Sequence, residues 1–135
     1  MTFYALDSSV LLPMLMEWHP AHDELRGSVR LVESVLPAHV LLETFSVLTR
    51  LPSPHRVSPA EASEAIEDFG LQVIGFPTTD MRTFVARLGV KGVRGGAIYD
   101  AFVGATAAHA EVPLLTRDRR AIPTYEAVGA TYRTV

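Results

Sequence analysis

The chain has 135 residues, enough for one domain with a substantial core; 48% apolar and 20% charged residues exclude a disordered chain. It has no cysteine, which excludes a disulfide framework and any thiolate metal site. A formal net charge of −3 offers no overall attraction to nucleic acid, yet eleven of the twelve basic residues are arginine, the better fork for phosphate; Lys91 is the single lysine.

The first predicted element is a buried strand over FYAL (3–6), ending at Asp7. Residues 8–16 and 22–34 read as helices, separated by WHPAH, and a short strand follows near 35–37. Residues 38–50 carry apolar side chains at 41, 45 and 48, a helical period. LPSPHRV is a proline-rich loop. Ser58, Pro59 and Glu61 then form a helix start with a serine cap, and that helix runs to about Phe69 and stops at Gly70. LQVIGF (71–76) reads as a strand and residues 80–88 as a helix stopped by Gly89. After the flexible turn GVRGG comes a helix over 97–109, dense in Ala and Gly and suited to close packing. Strands at PLLT (113–116) and TYRT (131–134) complete the pattern, with Pro113 at a tolerated first position.

Strands alternating with helices predict a parallel sheet covered on both faces, with ligands bound beyond the carboxyl ends of strands where the winding reverses. No repeat, low-complexity tract or linker divides the chain, so residues 1–135 are expected to form one domain. No apolar run approaches the roughly 18 residues of a membrane span. No basic-then-apolar leader opens the sequence. A cytoplasmic protein is therefore expected.

Four acids stand out against this pattern. Asp7 and Asp118 lie at or just past the carboxyl ends of two predicted strands; Asp100 lies in the first turn of a helix, and Glu43 on the helix 38–50 on a flank with Ser46 and Arg50. Brought to one crevice, they would offer hard oxygen ligands without His or Cys, which suits Mg²⁺ or Mn²⁺. Each has a plainer reading. Asp7 could cap a helix and Asp100 could answer a helix dipole. Glu43 could be solvated, and Asp118 could pair with Arg117, Arg119 or Arg120. It is the set that carries the chemistry. His19 and His22 are interrupted by Pro20 and read as loop residues. Ser8 and Ser9 lack a local histidine base. Gly89, Gly92, Gly95 and Gly96 do not space as a phosphate loop. Trp18, Met14 and Met16 read as apolar contacts.

At these residues the chain resembles the PIN-domain ribonucleases, in particular the VapC toxins of bacterial toxin–antitoxin pairs. ALDSSVLL is similar to the family's first motif; LLETFSVLTRLPSPHRVSP resembles the segment holding its glutamate. YDAFVGATAAHAEVPLLTRDRRA resembles the segment with its third and fourth acids. The resemblance implies a three-layer α/β/α fold with five parallel strands in the order 3-2-1-4-5. It implies metal ligation and catalysis by Asp7, Glu43, Asp100 and Asp118, with Ser8 and Thr116 as supporting hydroxyls. Mg²⁺, replaceable by Mn²⁺, would serve hydrolysis of RNA, with Arg50, Arg117 and Arg119 as phosphate contacts. It further implies a VapB-type antitoxin that blocks the crevice, and a homodimer. Relatives often carry a further acid just after the fourth; Arg119 and Arg120 stand there instead, so the resemblance does not extend to a second tightly held metal ion.

Two other readings compete. A phosphoacceptor receiver domain would show paired acids after its first strand and a lysine after a late one; here Ser8 and Ser9 follow Asp7, and Lys91 sits in the glycine turn. A catalytically silent PIN-like scaffold that binds RNA or protein would keep the same fold.

Overall fold

In the computed structural model, which describes residues 2–135, the opening apolar run forms the middle strand of the sheet, β1 (Tyr4–Leu6). Ala5 and Leu6 are fully buried, as a strand covered on both faces requires. On one side lies β2 (Ser34–Pro37), with Ala5 opposite Val35. On the other lies β4 (Leu114–Thr116), with Ala5 opposite Leu114 and Leu6 opposite Leu115. β3 (Gln72–Ile74) and β5 (Tyr132–Thr134) are the more exposed edges. All four pairings are parallel and the order is β3-β2-β1-β4-β5, as the sequence led us to expect. The chain winds outward from β1 to β3 and returns to β4, so β1 and β4 flank the point where the winding reverses. Right-handed crossovers in opposite directions place helices on both faces.

The helices are α1 (Ser8–Leu15), α2 (His22–Ser28), α3 (Ala38–Thr49), α4 (Pro59–Asp68), α5 (Met81–Lys91), α6 (Ala97–His109) and α7 (Ile122–Ala127). α4 begins as its sequence indicates: the Ser58 side chain accepts from the Glu61 N–H and Pro59 sits in the first turn. α6 packs closely on α7 because Gly104 has no side chain; a Cβ there would lie 2.9 Å from Val128 Cγ2 and 3.0 Å from Tyr125 Cδ1.

The observed elements depart from the predicted ones in three places. The helix expected over 22–34 stops at Ser28. Val29 turns extended and is buried, Leu31–Glu33 make one 3-10 turn, and Ser34 already belongs to β2. Burying Val29 is worth about 1.5–3 kcal/mol, which outweighs the few tenths of helical propensity lost. The helix expected to stop at Gly89 continues to Lys91 and is capped by Gly92 in the left-handed conformation, φ 71°. A seventh helix, α7, was not predicted; a 3-10 turn over Arg119–Ala121 leads into it, with Pro123 in its first turn.

Candidate active site

Asp7 closes β1 and is the most buried of the four acids, with 4% of its surface exposed. A buried carboxylate must be hydrogen-bonded, and Asp7 is. Ser9 Oγ donates to Oδ1 at 2.5 Å, and the hydroxyl of Tyr125, on α7, donates to Oδ2 at 2.9 Å. The supporting hydroxyl expected at Ser8 is supplied by Ser9. Ser8 and Ser9 project differently from the first turn of α1, and a sequence of two serines does not say which turns inward. Ser9 Oγ also accepts from the Arg117 N–H at 2.7 Å and lies 3.5 Å from Thr116 Oγ1, which in turn accepts from the Asp118 N–H at 3.0 Å. A chain of hydroxyls therefore ties the end of β4 to the end of β1. Thr116 is fully buried.

Asp118 is half-buried, and its Oδ1 accepts from the Arg120 N–H at 3.0 Å, capping the 3-10 turn; Arg120 Nε lies 3.7 Å from the same oxygen. Asp100 is half-buried in the first turn of α6. Glu43 is exposed on α3. Arg50, Arg117 and Arg119 are exposed.

The acids bear on one another electrostatically. Burial pushes the Asp100 carboxyl above its ordinary value, and the charges of Asp118, Glu43 and Asp7 push it further; His39 opposes them. Burial also raises Asp7, against the hydrogen bonds from Ser9, Thr116 and Tyr125, which favour its charged form. Tyr125 is driven far above its ordinary value by burial, then by Asp7, so it stays a donor. Among the described residues, none of Asp7, Glu43 and Asp100 has an ion-pair partner. The carboxylate oxygens of the four acids, with the hydroxyls around Asp7, are hard ligands that fit a divalent cation, and the His39 ring stands near Asp100. Among the described residues, the acids do not converge into a closed cluster of three metal ligands.

Other candidates fall away from this centre. His19 Nδ1 accepts from the Ala21 N–H at 3.0 Å, and His22 Nδ1 lies 2.9 Å from the Pro13 carbonyl, so both close the loop after α1. Trp18, 48% exposed, stacks on His55 with ring centroids 3.9 Å apart, while Met14 and Met16 are buried. A cavity of about 410 Å³ lined by Phe76, Phe84, Leu88, His109 and Val128 contains none of the four acids. Sequence reasoning missed Tyr125, the residue hydrogen-bonded to Asp7, because it lay in a segment with no predicted element.

Residues 4–126 match the PIN domain. The chain belongs to the PIN-domain family. It is 41% identical over 124 residues to "Ribonuclease VapC40" of Mycobacterium tuberculosis, covering 90% of this chain and 91% of that protein. This PIN domain also superposes on the DNA-bound VapBC of Salmonella typhimurium with a TM-score of 0.71 at 18% identity, covering 99% of this chain and 98% of that one. VapBC-5 of Mycobacterium tuberculosis, from the VapBC family of toxin–antitoxin systems, matches with a TM-score of 0.60 at 15% identity, covering 100% and 98%. At such identities the two structures speak for the fold alone.

Proposed function

We propose that this chain is a metal-dependent endoribonuclease of the VapC toxin type, which hydrolyses RNA phosphodiester bonds and is neutralised by a cognate VapB-type antitoxin. What supports the reading is that Asp7 at the end of β1 and Asp118 just past the end of the neighbouring β4 lie where the winding reverses, with the charges of Asp118, Glu43 and Asp7 raising the Asp100 carboxyl. The 41% identity to a protein named a ribonuclease supports the reaction class. Asp7, Asp100, Glu43 and Asp118 would hold Mg²⁺, or Mn²⁺ in its place.

When bound, the cation supplies Lewis acidity, neutralising charge on the scissile phosphate and acidifying water for in-line attack. Asp7 is held in one orientation by Ser9 and Tyr125. Thr116 and Ser9 hold the backbone of Arg117 and Asp118 against it. Arg117 and Arg119, exposed beside Asp118, and Arg50, exposed at the end of α3, would meet RNA phosphates. The protein is proposed to work in the cytoplasm as a homodimer.

The test is cleavage of RNA by purified, antitoxin-free protein with Mg²⁺ and with chelator. Cleavage should require the metal. Asp7→Asn, Glu43→Gln, Asp100→Asn and Asp118→Asn should each lower the rate by orders of magnitude. Unchanged cleavage in chelator, or by Asp7→Asn, would refute the mechanism. Binding of RNA without metal-dependent cleavage would instead mark a silent scaffold.

A further inference from the structure

A flat aromatic stack stands beside Asp100 and makes no hydrogen bond to the acids. His39 and Tyr99 lie with ring centroids 5.1 Å apart and planes only 5° from parallel. Tyr99 immediately precedes Asp100 on α6, and His39 is one helical turn before Glu43 on α3, so the pair bridges the two helices that carry those acids. His39 stacks on the tyrosine ring, and Tyr99 stays 59% exposed. The stack is braced from behind: His39 packs edge-on against Phe102, which contacts Phe76 and Phe84 of an aromatic cluster. A tyrosine presented this way loses little freedom on binding a second flat ring.

We propose that the His39–Tyr99 stack is a platform for one unpaired base of the RNA substrate, next to the phosphate to be cut. This rests on the ribonuclease reading above and extends it to substrate form: single-stranded RNA, or a loop with a splayed base. The chemistry favours a base. Base–aromatic stacking needs only an open π-face and tolerates any sequence. Tyr99 and His39 act as positioning residues, since neither is among the acids that hold the metal.

The experiment uses full-length Asp7→Asn protein and single-stranded RNA oligomers carrying 2-aminopurine at successive positions. At one position, binding should quench the probe. Adding Tyr99→Ala should abolish that quench and weaken binding about tenfold, the loss of one stacked base. Tyr99→Phe, which keeps the ring, should restore both. With Asp7 intact, Tyr99→Ala should raise KM for RNA cleavage more than it lowers kcat, with an unchanged melting temperature. No quenched position in the parent, or full quenching and affinity in Tyr99→Ala, would overturn the proposal. So would a loss confined to antitoxin binding, which would make the stack a protein contact. Failure of the ribonuclease reading has a separate signature: Asp7→Asn cleaving as fast as the wild type.

Discussion

Tyr125 is 2% exposed, yet its hydroxyl reaches Asp7 across 118 residues of chain. The bond satisfies a buried donor and favours the charged form of a carboxylate that burial otherwise pushes up. Tyr125→Phe removes that donor and nothing else. Asp7 should then titrate higher, so the acid limb of the cleavage rate against pH should move to higher pH. Stability should fall by about 1 kcal/mol, the net worth of one hydrogen bond. A pH–rate profile that superposes on the wild type would show that Tyr125 does not tune Asp7. Ser9 differs in kind, because one hydroxyl serves Asp7 and the Arg117 amide together.

What holds Tyr125 in place belongs to the helices. α6 can approach α7 only because residue 104 is glycine. Gly104→Ala should gain about 1 kcal/mol in helix propensity, but its Cβ would press on Tyr125 and Val128, and overpacking costs about 1–3 kcal/mol. Overpacking should win, since Tyr125 is buried and hydrogen-bonded and cannot swing aside. The variant should melt below the wild type and cleave more slowly as Tyr125 lifts from Asp7. A higher melting temperature would mean that Val128 alone absorbs the strain. This contact also marks how far the sequence could be read. The strands were legible because buried parallel strands are short apolar runs, and the four acids because two of them end such runs. α7 was not legible: six residues, IPTYEA, are too few to show a helical period, and its stability comes from packing on α6. The choice of Ser9 over Ser8 depends on the direction in which a helix leaves a strand. The true end of α2 depends on a core that only the assembled sheet supplies to Val29.

Across the whole molecule, the proposed function makes the repulsion felt at Asp100 something that a bound cation would relieve. Asp7 and Asp100 both have folded values raised above the ordinary 3.8. As pH rises, the unfolded chain gives up these protons first, while the folded chain retains them. Without metal, stability should therefore be greatest below the unfolded value and fall as pH rises through the raised folded values, levelling once both states are ionised. Chemical denaturation in chelator from acid to neutral pH should show that decline; a rise would reverse the assigned sign. Removing one charge relieves the same repulsion, though solvent around the half-buried Asp100 and the exposed Glu43 screens much of it. The most direct test of the four acids as one cation site is thermal melting of wild type and Asp100→Asn, in chelator and in saturating Mg²⁺, at neutral pH. Asp100→Asn should melt a few degrees higher than wild type in chelator, and Mg²⁺ should raise the wild type more than the variant, since only binding to the folded state stabilises it. If Asp100→Asn melts lower in chelator and Mg²⁺ shifts both proteins equally, Asp100 is a structural residue and the four-acid site is wrong.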